Sequence, residues 1–242
     1  MLPLFFGLAS LLYATVGQAG GTAFLALMAF AAFPPNEMRP TALLLNIVAA
    51  TYSTWLFNQG TLVDWTKLRP LLWASVPTAL VGGFIILDEF IYNAVTGLVL
   101  LLAAAILVRR RARSDHLDKP TPGWGAITVG ASVGFVSGLT GVGGGVFLAP
   151  ILIALSWASP KQTAALSAPF ILANSIVGLL AVLAVGQLPS SLTWLYALAA
   201  LAGAMIGTTV GLRWLSQTMT RYALALLLGT AGIQLLVMPY VL

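Results

Sequence analysis

The stretch "GLTGVGGG" (residues 138–145) interrupts a segment that is otherwise almost entirely apolar. Its flanks, "ITVGASVGFVS" (127–137) and "VFLAPILIALSW" (146–157), both have the composition of a helix that spans a bilayer. Glycine destabilises a helix interior by roughly 1 kcal/mol relative to alanine, so this cluster predicts that the helix ends here. Because unpaired amides are costly in hydrocarbon, a break at this depth predicts a place that is buried in protein or lines a wet cavity.

The whole chain has the composition of a helical membrane protein. Of its 242 residues, 60% are hydrophobic and 7% are charged, whereas soluble domains carry about 25% charged residues. Apolar runs of helix-spanning length exclude a β-barrel, and the longest polar stretch, residues 109–122, is too short to form a soluble domain. The absence of cysteine excludes disulfides and thiolate chemistry. We expect the apolar start to be mature protein, because no basic region precedes it.

Eight apolar runs predict membrane segments, and the first and fifth of them are unusually long. The predicted segments are residues 2–33, 42–58, 70–87, 91–108, 124–156, 165–185, 192–212 and 222–239. Each long segment would reach about 48 Å as a single helix, against about 30 Å of hydrocarbon. Each also contains a glycine-rich interruption near its middle, so we expect a pair of half-helices or a re-entrant hairpin in both.

The same order of features occurs twice along the chain. In both halves a broken segment, a proline-bearing turn, a helix and a polar turn follow one another. The matched stretches are "VGQAGGTAFLALMAF" (16–30) with "TGVGGGVFLAPILIA" (140–154), "FPPNEMRPTALLLN" (33–46) with "WASPKQTAALSAPF" (157–170), and "NQGTL" (58–62) with "VGQLP" (185–189). A duplicated unit of about 120 residues predicts an N-terminal transmembrane repeat at 1–108, a basic cytoplasmic linker at 109–122 and a C-terminal transmembrane repeat at 123–242.

Charges near the segment ends predict that the two repeats are inverted. Placing the linker arginines in the cytoplasm puts Lys67 on the same side. Lys161 and Arg213 are also cytoplasmic if segment 124–156 enters the membrane and returns instead of crossing once. If segment 2–33 likewise enters the membrane and returns on the same side, the N-terminus lies outside. We therefore expect an all-α polytopic membrane protein of two inverted repeats, with about four hydrophobic segments in each.

Charged residues are expected at segment ends and in loops. The loop predicted at 34–40 carries Arg39 on the outer face, beside Glu37, which departs from the charge pattern. The lone His116 falls in the linker, and no acidic or basic residue falls in the middle of a predicted segment. A cation carrier usually keeps an intramembrane carboxylate and a proton pump usually keeps an acidic or histidine relay, so both classes are disfavoured.

The two interruptions predict an anion site formed by neutral groups. A helix that restarts after a glycine break directs its amides and its positive dipole end into the break, and glycine allows a ligand to approach those amides. We expect the substrate-binding residues to be Gly17, Gln18, Gly20, Gly21, Thr22, Asn46, Thr140, Gly141, Gly143, Gly144, Gly145, Ser167 and Asn174. Further neutral polar residues near the breaks are Thr41, Thr51, Ser137 and Ser175.

Each of these assignments has a structural alternative. The glycines could serve only close helix packing, as we expect for the GxxxGxxxG patterns at 130–138 and 203–211. Asn46 and Asn174 could simply bond neighbouring helices, and Ser167 could be a cap or bond back to its own helix. We expect no catalytic residue, metal site or cofactor, because a serine nucleophile would lack a nearby base and clustered metal ligands are missing.

Residues 134–178, "GFVSGLTGVGGGVFLAPILIALSWASPKQTAALSAPFILANSIVG", resemble the signature of the TauE/SafE family, sulfite and organosulfonate exporters also called the TSUP group. The resemblance rests on a Gly-x-Gly-Gly-Gly stretch, a proline about five residues later, and a proline turn before a helix rich in Ala, Thr and Ser. The matching residues are Gly141, Gly143, Gly144, Gly145, Pro150, Pro160, Ala164 and Ser167. The N-terminal copy is degenerate, since Ala19 replaces one glycine and Ala26 stands opposite Pro150.

The resemblance implies a secondary transporter in a bacterial or archaeal inner membrane that moves small sulfur-containing anions such as sulfite, thiosulfate or organosulfonates. The alternatives are an anion channel and a transporter of another small anion. The expected partners are this anionic substrate and membrane lipid, with a possible homo-oligomer and no nucleic acid. An intramembrane enzyme is disfavoured by the missing catalytic groups.

Overall fold

The computed structural model describes residues 1–85, 122–214 and 216–237, together with seven helical positions between them (Ala94, Gly97, Leu98, Leu101, Ala104, Ala105 and Val108). Within the three continuous ranges the chain forms helices and no strand. The helices are α1 (Leu2–Ala14), α2 (Gly21–Phe30), α3 (Pro35–Gln59), α4 (Trp65–Gly83), α5 (Gly123–Thr140), α6 (Gly145–Ala154), α7 (Pro160–Ala184), α8 (Thr193–Trp214) and α9 (Gln217–Val237). The predicted linker, apart from Pro122, and most of the predicted segment 91–108 lie outside the described residues.

Local sequence determines where the central helices begin. A proline occupies the first turn of α3 and of α7, where its missing N–H costs nothing. Ser159 and Gln162 form a reciprocal capping box at the start of α7, and Asp64 accepts the amides of Thr66 and Lys67 at the start of α4. The prediction of a loop at 34–40 was wrong, because Pro35 starts α3 four residues before Arg39 and places Arg39 in its first turns.

Both predicted interruptions are confirmed. The first long segment breaks between α1 and α2, and the second breaks between α5 and α6. Gly20 and Gly144, each the residue before a restarted helix, have φ values of 111° and 81°. Gly143 has a φ of 88°. These backbone conformations are left-handed and costly for residues with a Cβ, so the breaks need glycine at these positions.

Each broken segment folds back on itself as a re-entrant hairpin. In the first hairpin the rings of Phe6 and Phe24 lie 5.7 Å apart between centroids, and Tyr196 contacts both Phe6 and Phe33 from α8. The two ends of this hairpin therefore lie close together. In the second hairpin Trp157, which follows α6, lies against Gly125 near the start of α5. Of the two predicted forms, a pair of half-helices or a re-entrant hairpin, the chain therefore adopts the hairpin.

The first helix of each half packs against the other half. Helix α1 lies along α8, and α5 lies along α4, while α3 and α7 contact each other between these pairs. The GxxxGxxxG faces form the two outer contacts, as predicted. Gly203 and Gly207 lie on the backbone of α1 at Gly7 and Leu11, and the α5 glycines lie on the backbone of α4.

The described helices have the length and composition of a membrane protein. Three of them, Asn36–Gln59, Pro160–Ala184 and Thr193–Trp214, are long and apolar enough to cross a bilayer by themselves. The shorter apolar helices are α1, α2 and α6, which belong to the hairpins. The chain is therefore an all-α polytopic membrane protein. The inverted relation of its halves stays a prediction at this point.

The close packing of α5 on α4 gives a first testable expectation. In Gly134→Ala, the new Cβ would meet the backbone of Ser75 and would lie 2.6 Å from Oγ1 of Thr78. Because a helix backbone cannot move aside cheaply, we expect the free energy of unfolding to fall by about 1–3 kcal/mol. Thermal unfolding in detergent measures the change. Gly123→Ala is the matched control, since a Cβ at Gly123 meets no atom within 4 Å. Equal melting temperatures in both variants would contradict this packing.

Candidate functional site

The tips of the two hairpins meet beside α3. Asn46, on α3, donates a hydrogen bond from Nδ2 to the carbonyl oxygen of Val142 at 3.1 Å. Gly21, the first residue of α2, lies against the same two groups, because a Cβ there would be 2.5 Å from the Val142 oxygen and 2.6 Å from Asn46 Nδ2. Glycine is therefore needed at position 21 for the close approach of the two tips.

Polar side chains surround the three consecutive glycines of the second tip. A Cβ at Gly143 would lie 2.9 Å from Oγ of Ser175, and a Cβ at Gly144 would lie 3.1 Å from Oγ of Ser137. Gly145 lies directly against Oε1 of Gln18, which comes from the first tip. We call this region the central site, defined by Gln18, Asn46, Ser137, Ser175 and Gly143–Gly145.

The central site contains buried polar atoms that have no hydrogen-bond partner within the described part of the chain. These atoms are Nε2 and Oε1 of Gln18, Oδ1 of Asn46, and Oγ of Ser137 and Ser175; outside the site as defined, α7 also has Oγ of Ser167 and Oδ1 of Asn174 without partners. Each of the six residues is at most 1% exposed. An unsatisfied buried polar group costs about 1–3 kcal/mol, so several of them in one place indicate a site kept for a polar ligand rather than for stability.

Two helix N-termini begin at this site. Neither Gly20 nor Gly144 provides a side-chain cap to the helix that follows it. The first amides of a helix have no partner within that helix, and its N-terminus carries a positive partial charge. The restarts of α2 and α6 therefore supply donors and positive potential from two directions.

The four side chains that define the central site are neutral: Gln18, Asn46, Ser137 and Ser175, all buried. The residues that the structure describes contain no group of three or more His, Asp or Glu that could hold a metal ion. Neutral donors of this kind can hold an anion by hydrogen bonds without binding it so tightly that release becomes slow.

The structure brings about half of the predicted residues together. Gln18, Gly21, Asn46 and Gly143–Gly145 form the core of the central site. Gly20 adjoins it as the residue before α2. Ser167 and Asn174 lie on the face of α7 that also carries Ile171, and Ile171 contacts Gly143 and Gly145. Asn174 donates from Nδ2 to the carbonyl of Phe170 in its own helix at 2.8 Å, which differs from the bond to a neighbouring helix given as its structural alternative.

Four predicted residues lie outside this arrangement. Gly17 packs on the backbone of Ala164, and Gly141 packs on the side chain of Arg39. Thr22 donates to the hydroxyl of Tyr13, and Thr140 donates to the carbonyl of Val136. Their contacts are therefore local or structural.

The site predicted from the sequence does not include Ser137 and Ser175, although both are neutral polar residues near the breaks. Ser137 lies one turn before the end of α5, and Ser175 lies four residues after Ile171, on the same face of α7. Helical spacing from the glycine cluster indicates Ser137, whereas Ser175 lies on another helix and is identified only by its contact with Gly143 in the fold. Arg39 was assigned to a loop, so its position on α3 beside the second tip was also missed.

Comparisons with known proteins identify relatives described as membrane transporters. The model of the family described as "Sulfite exporter TauE/SafE" matches residues 2–235. "Probable membrane transporter protein y4hK" of Sinorhizobium fredii (strain NBRC 101917 / NGR234) is 38% identical over 240 residues, which are 97% of each chain. "Probable membrane transporter protein YunE" of Bacillus subtilis (strain 168) is 25% identical over 197 residues, 73% of this chain and 71% of that protein. No solved structure matches.

The unsatisfied hydroxyls give a stability prediction for the ligand-free protein. Ser175→Ala removes a buried hydroxyl that has no partner, so we expect the free energy of unfolding to rise by about 1 kcal/mol. Ser10→Ala is the matched control, because Oγ of Ser10 is equally buried and donates to the carbonyl of Ala200 at 2.7 Å. That control should lose about 1 kcal/mol. Thermal unfolding in detergent compares the two, and a loss of stability in both would contradict the assignment of Ser175 to a ligand site.

Proposed function

The chain belongs to the TauE/SafE family of membrane transporters, and we propose that it carries small sulfur-containing anions such as sulfite, thiosulfate or organosulfonates through the central site. The observation that supports this most is the cluster of unsatisfied buried polar atoms where two helices restart. Transporters with interrupted helices use such N-termini to bind anionic groups near the bilayer midplane.

The donors of the central site suit an oxyanion. Gln18 offers Nε2, and Ser137 and Ser175 offer hydroxyls, while the first amides of α2 and α6 add backbone donors. An oxyanion or sulfonate group presents several acceptor oxygens in a compact arrangement, so several of these donors can bind it at once. The remaining amide oxygens, on Asn46 and Asn174, accept hydrogen bonds from water or from a protonated form of the anion.

The contacts of the hairpins support an inverted arrangement of the halves. The ends of the first hairpin lie beside Tyr196, near the start of α3, where Thr41 accepts a hydrogen bond from the amide of Ser190 at 2.9 Å. The end of the second hairpin lies beside the far end of α3, because Lys67, at the start of α4, donates to the carbonyl of Trp157. Helix α3 has 25 residues and separates these places by about 37 Å.

Two hairpins that enter from opposite faces and meet in the middle provide the geometry for alternating access. In such a cycle one half rocks against the other around a fixed site, and the site opens to one face at a time. We propose the bacterial or archaeal inner membrane as the location, with export as the direction. An inside-negative potential drives an anion outward by about 2.3 kcal/mol per charge per 100 mV, so export needs no coupling ion. We expect no catalytic activity and no cofactor.

Flux of labelled sulfite into proteoliposomes tests the function, and Gly144→Val tests the site. The valine side chain would occupy the space beside Phe170 and Ser137, at a left-handed residue, so we expect flux to fall to about a tenth or less. Gln18→Leu removes two unsatisfied polar atoms without touching the backbone, and it should have the same effect. Gly123→Val is the matched control, because residue 123 has open space around it.

The outcomes separate the competing functions. Saturable counterflow of labelled sulfite or sulfonate, lost in Gly144→Val and Gln18→Leu, supports the carrier. Unsaturable, voltage-dependent current would indicate a channel instead. Flux of chloride without flux of sulfite or sulfonate would indicate a transporter of another anion, and normal sulfite flux in both variants would show that the central site only packs helices.

A further inference from the structure

Arg39 connects three helices through its guanidinium group. Nη1 donates to the carbonyl oxygen of Ile85 at 3.1 Å. Nη2 donates to the carbonyl oxygens of Gly82 at 3.3 Å and Gly83 at 3.2 Å, where α4 ends. Nη2 also donates to the carbonyl of Gly138 on α5, close to the second interruption. The side chain therefore joins α3 to the last turns of α4 and α5.

These carbonyls would repel an anion if Arg39 were absent. The last carbonyls of a helix lack partners within that helix and carry its negative partial charge. Helix α5 ends at Thr140, and the next residue, Gly141, lies against the stem of Arg39, because a Cβ there would be 2.6 Å from its Cγ. The permanent positive charge of the guanidinium therefore lies at the C-terminal ends of α4 and α5 and offsets their negative partial charge.

The equivalent position in the second half carries a small, buried side chain. Counted from the starts of α3 and α7 at Pro35 and Pro160, Arg39 and Ala164 are each the fifth residue, whereas the matched stretches place Thr163 opposite Arg39. Ala164 lies against the first tip at Gly17, as Arg39 lies against the second tip at Gly141. Alanine has no side chain long enough to connect neighbouring helices.

A cavity of about 210 Å³ adjoins Ala164. Its lining includes Lys161 and Gly211, and also Phe57 and Leu62. Phe57 belongs to the last turns of α3 and Leu62 follows that helix, whereas Arg39 belongs to its first turns. The cavity and Arg39 therefore lie at opposite ends of α3. At one end there is a cavity lined in part by Lys161, and at the other end the side chain of Arg39 fills the space between the helices.

We propose that Arg39 is the gate between the central site and one membrane face, and that the cavity at Lys161 is the opening to the other face. This inference rests on the proposed function. In the closed state the guanidinium N–H groups bind helix carbonyls. A departing oxyanion forms stronger hydrogen bonds with those N–H groups than neutral carbonyls do, so it releases Arg39 from α4 and α5 as it passes. Opening is thereby coupled to the presence of an anion.

Thiol accessibility tests the gate without any substrate. The chain has no cysteine, so Thr140→Cys introduces a single reporter beside Gly141, at a position that is 2% exposed. A membrane-impermeant maleimide is applied to right-side-out and to inverted membrane vesicles. With Arg39 present we expect slow labelling from the face that Arg39 closes. Arg39→Ala should raise that rate by about tenfold or more in one vesicle orientation only, because loss of the charged hydrogen bonds shifts the population to the open state.

Three further variants make the result decisive. Arg213→Ala is the matched control, since it removes an arginine at the exposed end of α8 and should leave labelling unchanged. Arg39→Lys keeps the charge but cannot bind all four carbonyls, so its rate should lie between those of the parent and Arg39→Ala. Arg39→Gln replaces the alanine variant if detergent chromatography shows that Arg39→Ala is misfolded. An unchanged rate in Arg39→Ala or Arg39→Gln, an equal rise in both orientations, or the same rise in Arg213→Ala would overturn the gate.

The two proposals fail separately. If labelling depends on Arg39 but the protein shows no sulfite or sulfonate flux, the gate is supported and the proposed substrate is rejected. Sulfite flux in a protein whose labelling is indifferent to Arg39 would keep the transporter and reject the gate.

Discussion

The need to satisfy backbone amides inside a bilayer governs this fold. Hydrocarbon offers no hydrogen bonds, so a chain can leave helical geometry there only where protein surrounds it. Two such departures meet beside α3, and Gly21 and Gly143 permit the contact because any side chain at either position would collide with its neighbours. The tight glycine faces of α5 and α8 hold the outer arms of both hairpins in place. Close helix packing therefore surrounds the interrupted backbone with protein and makes the two breaks possible.

The features that depend on chain composition could be predicted from the sequence. Runs of apolar residues determine the helices, and the cost of glycine in a helix determines both breaks. The paired glycine spacings likewise predicted helix contacts that the structure contains. Arg39 could not be predicted in this way, because its role depends on which carbonyls α4 and α5 bring within reach of its side chain. The hydrogen bonds of Thr22 and Thr140 could not be predicted either, since their acceptors, Tyr13 and Val136, depend on the conformation of each hairpin.

The two halves are similar in shape but not in chemistry. The second half supplies Ser137, Ser167, Asn174 and Ser175 to the set of unsatisfied polar atoms, whereas the first half supplies Gln18 and Asn46. The tips differ too, since the second contains three consecutive glycines and the first contains Ala19 between its glycines. Two halves with the same helix order need close packing surfaces to remain assembled, whereas the polar side chains between these surfaces can differ. The contrast between Arg39 and Ala164 fits the same principle.

The exchange of partners between the halves has a consequence for biosynthesis. Helix α1 is synthesised before α8, along which it packs and which is completed only at Trp214. Until α8 is in place, the surface of α1 that packs on Gly203 and Gly207 is exposed to lipid. Neither half could be made as a separate polypeptide and keep its own packing intact. A chain that ends before α8 would therefore leave the packing surface of α1 without its partner.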